Sequence, residues 1–174
     1  MAQSGPPSRL LMRWADNFAR ERPVLDAGCG TGRNAIALAG RGFRIVCADK
    51  DRERLGRIES FAPDDLRGGS LMPVCTDLTA GRWPFGAGCF SAVVCVHFLD
   101  LALLPRIRAS LCGRSHLYIE TIGGQGENYR DLPPAGTLRS LLEPDFSFMF
   151  YEERRAGPER YGKRAVKLLA RKYE

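Results

Sequence analysis

Residues Val24 to Asn34 read V-L-D-A-G-C-G-T-G-R-N: an apolar run, an acid, three alternating glycines, then an arginine and an asparagine. Glycines spaced this way let the backbone turn sharply and let a ligand come close to it. The chemistry such a turn serves is the holding of a nucleotide-like group, and its neighbours discriminate among the candidates. The phosphate-cradling pattern G-x-x-x-x-G-K-[ST] does not occur in the chain, which removes the simplest nucleoside-triphosphate reading. The dinucleotide pattern G-x-G-x-x-G has Gly28 and Gly30 in place, but its third glycine falls on Arg33. Helix and strand pack closely at that position, and arginine is a poor substitute.

Asp26 carries more information than the missing glycine. It stands at a strand end just before the turn, where a pyrophosphate would meet a carboxylate of its own sign in a partly dry site. A ligand bearing a sulfonium and an ammonium would be attracted instead. The charge logic therefore points away from NAD and toward S-adenosylmethionine. Asp49, about twenty residues past the glycines, is placed to accept hydrogen bonds from both ribose hydroxyls, and by itself fits either cofactor. Asp77 is placed to accept from an adenine amino group, with Leu78 supplying an apolar wall and a backbone N–H. Any one of these acids alone is better explained as a helix N-cap. Three acids after three successive strands, at the carboxyl edge where such sheets bind ligands, make a specific pattern.

The elements that must position these acids follow from periodicity. Gly5, Pro6 and Pro7 suggest a loose arm, and Leu10, Leu11, Trp14, Ala15 and Phe18 recur at helical spacing from Leu10 to Arg20, ended by Pro23. Strands are expected at Val24–Leu25, Phe43–Ala48, Met72–Cys75, Phe90–Val96 and His116–Thr121. Helices are expected to continue from Asn34 to Ala39, from Asp51 to about Ser60 and from Leu99 to Leu111. Asp77 to Cys89 is too broken by glycine and proline for a full helix, so one crossover is abbreviated. After a short helix at Thr137–Leu142, Phe146–Glu152 and Ala165–Arg171 read as two strands with no helix between them. Alternating strands and helices closed by such a hairpin predict an α/β, doubly wound, mostly parallel sheet with a C-terminal antiparallel pair. The expected organisation is an N-terminal arm and helix over 1–22 and one domain over 23–174.

Composition sets the remaining bounds. A chain of 174 residues, 44% hydrophobic and 26% charged, suits one soluble domain with a full core. No run approaches the eighteen or so apolar residues of a membrane span, and the N-terminus M-A-Q-S-G-P-P-S-R has no apolar signal core. Six cysteines form no C-x-x-C pair and accompany only two histidines. No metal site is therefore expected. Cys47, Cys75 and Cys95 lie in apolar runs and read as core thiols, which implies a reducing, cytoplasmic setting. Much of the net charge of +6 falls late, from Arg154 to Lys172. That is read as the wet side of a strand pair, with nucleic acid as the alternative partner.

D-A-G-C-G-T-G-R-N followed by A-D-K-D resembles motif I and the next acidic motif of class I S-adenosylmethionine-dependent methyltransferases. T-D-L resembles the adenine-side motif of that family, and A-V-V-C-V-H-F-L its fourth strand. G-R-N, with A-G-T-L-R-S-L-L and the Y-E-E-R and V-K-L-L-A-R-K tail, is most similar to small bacterial methyltransferases of the tellurite-resistance type. The resemblance implies a Rossmann-like sheet of seven strands with the last one inserted antiparallel. Carried over by position, Asp26, Ala27, Gly28 and Gly30 would meet the methionine part, Asp49 the ribose, and Asp77 with Leu78 the adenine. Lys50 would stand against adenine or ribose. C-G-R-S replaces the usual proline-glycine turn before the fifth strand, a change expected to affect only a far-side loop.

The acceptor is less well specified. Methyl transfer chiefly needs alignment of a nucleophile, and a general base only where the acceptor must lose a proton. Candidates near the acceptor are His97, at the end of V-V-C-V and also a structural candidate, and Glu120, Asn128 and Tyr129 around the loop G-G-Q-G-E-N-Y-R. Arg33 and Asn34 could bind an anionic acceptor or the cofactor carboxylate. Arg13 and Trp14 could close over the cofactor, or Trp14 could simply anchor its helix. The reading is a methyltransferase acting on a small molecule. Its rivals are a nucleic-acid or protein methyltransferase using the basic hairpin, a non-catalytic cofactor-binding subunit, and a nucleotide-dependent oxidoreductase. V-H-F-L stands where base-amino methyltransferases carry Asn-Pro-Pro-aromatic.

Overall fold

A computed structural model describes residues 5–61, 66–81, 83–123, 134–156 and 164–174. Seven strands form one sheet: β1 (Val24–Ala27), β2 (Arg44–Asp49), β3 (Ser70–Cys75), β4 (Phe90–Val96), β5 (Leu111–Gly123), β6 (Phe146–Arg155) and β7 (Arg164–Lys172). Their order is β3-β2-β1-β4-β5-β7-β6. The first five strands run parallel, and β7 lies antiparallel between β5 and β6. β1 and β4 are buried at every residue, as central parallel strands covered on both faces must be.

Alternation along the strands divides the core in two. Val24, Ile45, Cys47, Ala92 and Val94 face α1 (Arg9–Trp14), α2 (Arg33–Ala39) and α3 (Arg52–Glu59) through Leu11, Ala35, Leu38, Leu55 and Ile58. Leu25, Ala27, Val93 and Cys95 face α4 (Leu104–Ser110) and α5 (Thr137–Leu142) through Leu104, Ile107, Leu138 and Leu142. Each fully buried leucine contributes about 1.5–3 kcal/mol. The strand order reverses beside β1, between β2 and β4. Their carboxyl ends open a crevice at this switch point.

Several boundaries depart from the sequence expectation. The first helix stops at Trp14 and passes through a 3-10 turn at Ala15–Asn17. Phe18 then turns extended and reaches into the core, its ring 6.3 Å from Phe43 and 5.7 Å from His116. The expected helix from Leu99 becomes a 3-10 turn at Leu101–Leu103 followed by α4, whose Pro105 sits in the first turn where no N–H partner is lost. β5 begins at Leu111, and C-G-R-S is absorbed into the strand with Arg114 at φ 61 and a register shift against β4. Cys75 is exposed rather than buried, because β3 is an edge strand. No described part of residues 77–89 is helical, in keeping with the abbreviated crossover.

Three cations of the basic hairpin are paired with carboxylates. Lys167 Nζ lies 2.9 Å from Glu120, Arg164 2.8 Å from Glu153, and Arg154 3.1 Å from Glu152. Lys172 Nζ donates to the carbonyls of Arg108 and Leu111. His116, on β5, is buried against Phe18 with Nδ1 unpartnered. Burial, helped by the charge of Arg171, lowers its pKa to about 4. The unfolded chain therefore takes up this proton first, and the stability present above about pH 6.5 is lost as pH falls through about 4, by roughly 2–3 kcal/mol. Denaturant titrations between pH 7 and 4 should show that fall for the native chain, and a flatter profile for His116→Phe.

Candidate functional site

The crevice is built on the turn after β1. Gly28, Gly30 and Gly32 all have positive φ, at 68°, 57° and 81°, a region that costs a residue with a side chain but not glycine. The N–H groups of Gly28 and Cys29 both donate to Ala48 O, at 2.8 and 3.1 Å, tying the turn to the end of β2. Gly28 also makes room for a ring: a Cβ there would lie 2.6–2.8 Å from Phe98.

Two connected clefts share Gly28, Arg54 and His97. The first, of about 230 Å³, is lined by Ala48, Asp49, Lys50, Thr76, Asp77, Leu78, Thr79 and Phe98 as well. The second, of about 620 Å³, passes over Cys29, Gly30, Thr31 and Arg33 toward Arg57. Of the residues singled out in the sequence, Gly28, Gly30, Arg33, Asp49, Lys50, Asp77, Leu78 and His97 line these clefts, and Asp26 and Asn34 line neither. Ala27 has no exposed side chain and packs in the core, which leaves only its backbone for a ligand. Asn128 and Tyr129 lie outside the described residues.

Asp26 points into the helix-covered face beneath this turn. It is 1% exposed, and its Oδ2 has no hydrogen-bond partner. Burial raises its pKa to about 7, against the Ala35 N–H and the Arg33 charge, which work to lower it. A buried carboxylate with one free oxygen suits a cationic ligand. Asp49 is anchored by two backbone donors, Gly30 N to Oδ2 at 2.8 Å and Asp51 N to Oδ1 at 3.0 Å. Each oxygen keeps acceptor capacity for a further donor. Asp77 Oδ1 accepts from Thr79 N and Oγ1 at 2.9 and 2.7 Å, and its Oδ2 lies 4.0 Å from the exposed Lys50 ammonium.

Other predicted residues serve different neighbours. Asn34 Oδ1 accepts from Ser8 N at 2.9 Å, and Arg33 Nη1 donates to Pro6 O at 3.3 Å, so both hold the N-terminal segment. Trp14 packs on Phe150 at 6.5 Å and anchors α1 to the hairpin, the second of its two expected roles; Arg13 lies over its ring at 5.8 Å. Neither lines the clefts. His97, exposed at the end of β4, is held at φ 56 by donating its N–H to Glu120 O at 2.7 Å. The Glu120 carboxylate accepts from Ser8 Oγ, from Tyr118 Oη at 2.7 Å and from Lys167 at 2.9 Å. Burial works to raise its pKa, but these three donors outweigh it and hold it below the usual range.

Phe98, Thr76, Thr79 and Arg54 were missed. Phe98 had a signal, an aromatic just after the fourth strand, but its contact with Gly28 is tertiary. Gly28→Ala should displace Phe98 and impose positive-φ strain, costing about 1–3 kcal/mol. At Gly81, with φ 85 but open space around it, the same change should cost about 1 kcal/mol. Thermal unfolding of the two variants checks the difference.

A methyltransferase-domain family model matches residues 24–112, just over half of the chain. No curated protein matches by sequence. Among solved structures, a SAM-dependent methyltransferase from Methanosarcina mazei superposes with a TM-score of 0.66 at 17% identity, covering 97% of this chain and 99% of its own. A putative methyltransferase from Bacillus halodurans gives 0.69 at 18%, covering 95% and 98%. A geranyl diphosphate methyltransferase, solved in complex with GPP and sinefungin, gives 0.72 at 12%, covering 94% and 78%. At these identities the structures share the fold. The family match, over the stretch that holds the glycine turn and all three acids, shows that the chain belongs to the methyltransferase-domain family of S-adenosylmethionine-dependent proteins.

Proposed function

We propose that this protein is a cytosolic S-adenosylmethionine-dependent methyltransferase acting on a small molecule. The observation that carries the reading is Asp26, a buried carboxylate with one unpartnered oxygen beneath the glycine turn. Asp26 would draw the cationic methionine end, Asp49 would use its remaining lone pairs on the ribose, and Asp77 with Leu78 would border the adenine. The cofactor supplies a methyl carbon already activated by positive sulfur. What remains for the chain is to hold the acceptor in line with that carbon and exclude water.

The pairing of Lys167, Arg164 and Arg154 with carboxylates supports a small acceptor over nucleic acid, since phosphates would have to compete for those three cations. The six cysteines are free thiols, in keeping with a reducing compartment. A soft anionic acceptor has no proton to lose and needs no base, and the G-R-N turn is the feature on which kinship with tellurite-type enzymes would rest.

Asp26 gives the reading a pH signature. A cation bound beside it favours the ionised form, so affinity should fall by up to about tenfold per pH unit below pH 7. Without ligand the sign is opposite: a raised folded pKa makes Asp26's contribution to stability full below the unfolded value and lost as pH rises through about 7. Asp26→Asn should therefore bind S-adenosylmethionine weakly and with a flat pH profile, yet melt higher than the native chain at pH 8. Calorimetric titration and thermal unfolding at pH 6 and 8 read both. Incubation with methyl-labelled cofactor and fractionated cell extract should place label in the small-molecule fraction. Label in RNA, DNA or protein would overturn the acceptor class, and no transfer to any fraction would favour a non-catalytic subunit.

A further inference from the structure

The segment from Gly5 to Ser8 carries no residue that the family motifs place in the site, yet it is tied to the site at three points. Arg33, which lines the larger cleft, donates to Pro6 O at 3.3 Å. Asn34, next to it, accepts from Ser8 N at 2.9 Å. Ser8 Oγ donates to the Glu120 carboxylate while accepting from Leu11 N at 3.1 Å as the N-cap of α1. A helix cap needs only the last of these bonds. The other three tie the segment to the first turn of α2, through Arg33 and Asn34, and to β5, through Glu120.

Glu120 joins this segment to the opposite wall. Its carboxylate holds Ser8, and its main-chain carbonyl holds the N–H of His97 at 2.7 Å. His97 and Phe98 line the first cleft, with the Phe98 ring packed over Gly28. Tyr118 donates to the same carboxylate oxygen as Ser8, and Lys167 pairs with the other, which holds the carboxylate ionised and committed to these neighbours. One residue on β5 thus fixes both the N-terminal segment beside Arg33–Asn34 and the exit of β4.

We propose that Ser8 is a positioning residue of the cofactor site. It fastens the N-terminal segment to the Arg33–Asn34 turn, and Glu120 is its anchor rather than a catalytic base. The inference rests on the reading of the clefts as an S-adenosylmethionine site. Opening of the Ser8–Glu120 bond frees the Arg33–Asn34 end and speeds cofactor release.

Three variants separate this from simple helix capping. Ser8→Thr keeps the hydroxyl and should behave as the native chain. Ser8→Ala removes cap and anchor together. Ser8→Asp keeps a good cap acceptor but sets a carboxylate against Glu120. S-adenosylmethionine should bind about tenfold more weakly to both Ser8→Ala and Ser8→Asp, mainly through faster dissociation, as loss of a hydrogen bond to a charged group implies. Native-like affinity in Ser8→Asp would assign Ser8 to the cap alone and overturn the proposal. A second arm needs no ligand: mild trypsin should release the segment after exposed Arg9 about tenfold faster from Ser8→Ala and Ser8→Asp than from the native chain or Ser8→Thr. Equal release rates would overturn the fastening itself. If the native protein binds no S-adenosylmethionine, the functional reading fails, and the trypsin arm alone decides whether Ser8 fastens the segment.

Discussion

A carboxylate held out of water is the constraint around which this molecule is arranged. Asp26 lies at the centre of the sheet, under α2, with one oxygen unpartnered and its pKa raised to about 7 by burial. Such a group works against folding unless something positive comes to it. The rest of the fold makes that tolerable. β1 and β4 are buried at every residue, and two apolar layers close over them. The ligand-free protein carries a local cost in exchange for selectivity at the place where the strand order reverses.

Around it the crevice is held by separate contacts. The acid of β2, Asp49, holds the glycine turn through Gly30 N and the entry to α3 through Asp51 N, and keeps further lone pairs on both oxygens. Glycine at position 28 is required by the Phe98 ring as well as by its backbone angle. The walls of the crevice belong to four separate stretches of chain, and Glu120 joins one of them, at His97, to the N-terminal segment at Ser8. Long, exposed pairs such as Arg57–Glu53, at 3.7 Å, contribute little by comparison.

The parts of this arrangement that were legible in the sequence are those fixed locally. Glycine spacing, acids at strand ends and the change from helix–strand alternation to a bare strand pair are short-range patterns, and they located the sheet, the hairpin and most of the cleft. The parts that were not legible depend on partners far along the chain. Ser8 and Glu120 are 112 residues apart, and nothing in M-A-Q-S-G-P-P-S-R says which acid its hydroxyl will meet. Glu120 read as a reactive group because its position at a strand end is also where reactive groups stand; its three donors come from two other elements and from Tyr118. The first helix was read too long because its apolar spacing continues to Phe18, while packing of that ring against Phe43 and His116 decides where the helix stops.

The central claim is that the glycine turn selects a cation rather than a pyrophosphate because of the carboxylate beneath it. The most direct test is to compare the melting temperature of the purified protein alone, with S-adenosylmethionine and with NADH. At a hundredfold excess over its dissociation constant, a single-site ligand stabilises by about 2.7 kcal/mol, which for a domain of this size is a rise of roughly 5–10 °C. The account predicts that rise with S-adenosylmethionine and none with NADH. A rise with NADH alone would contradict it.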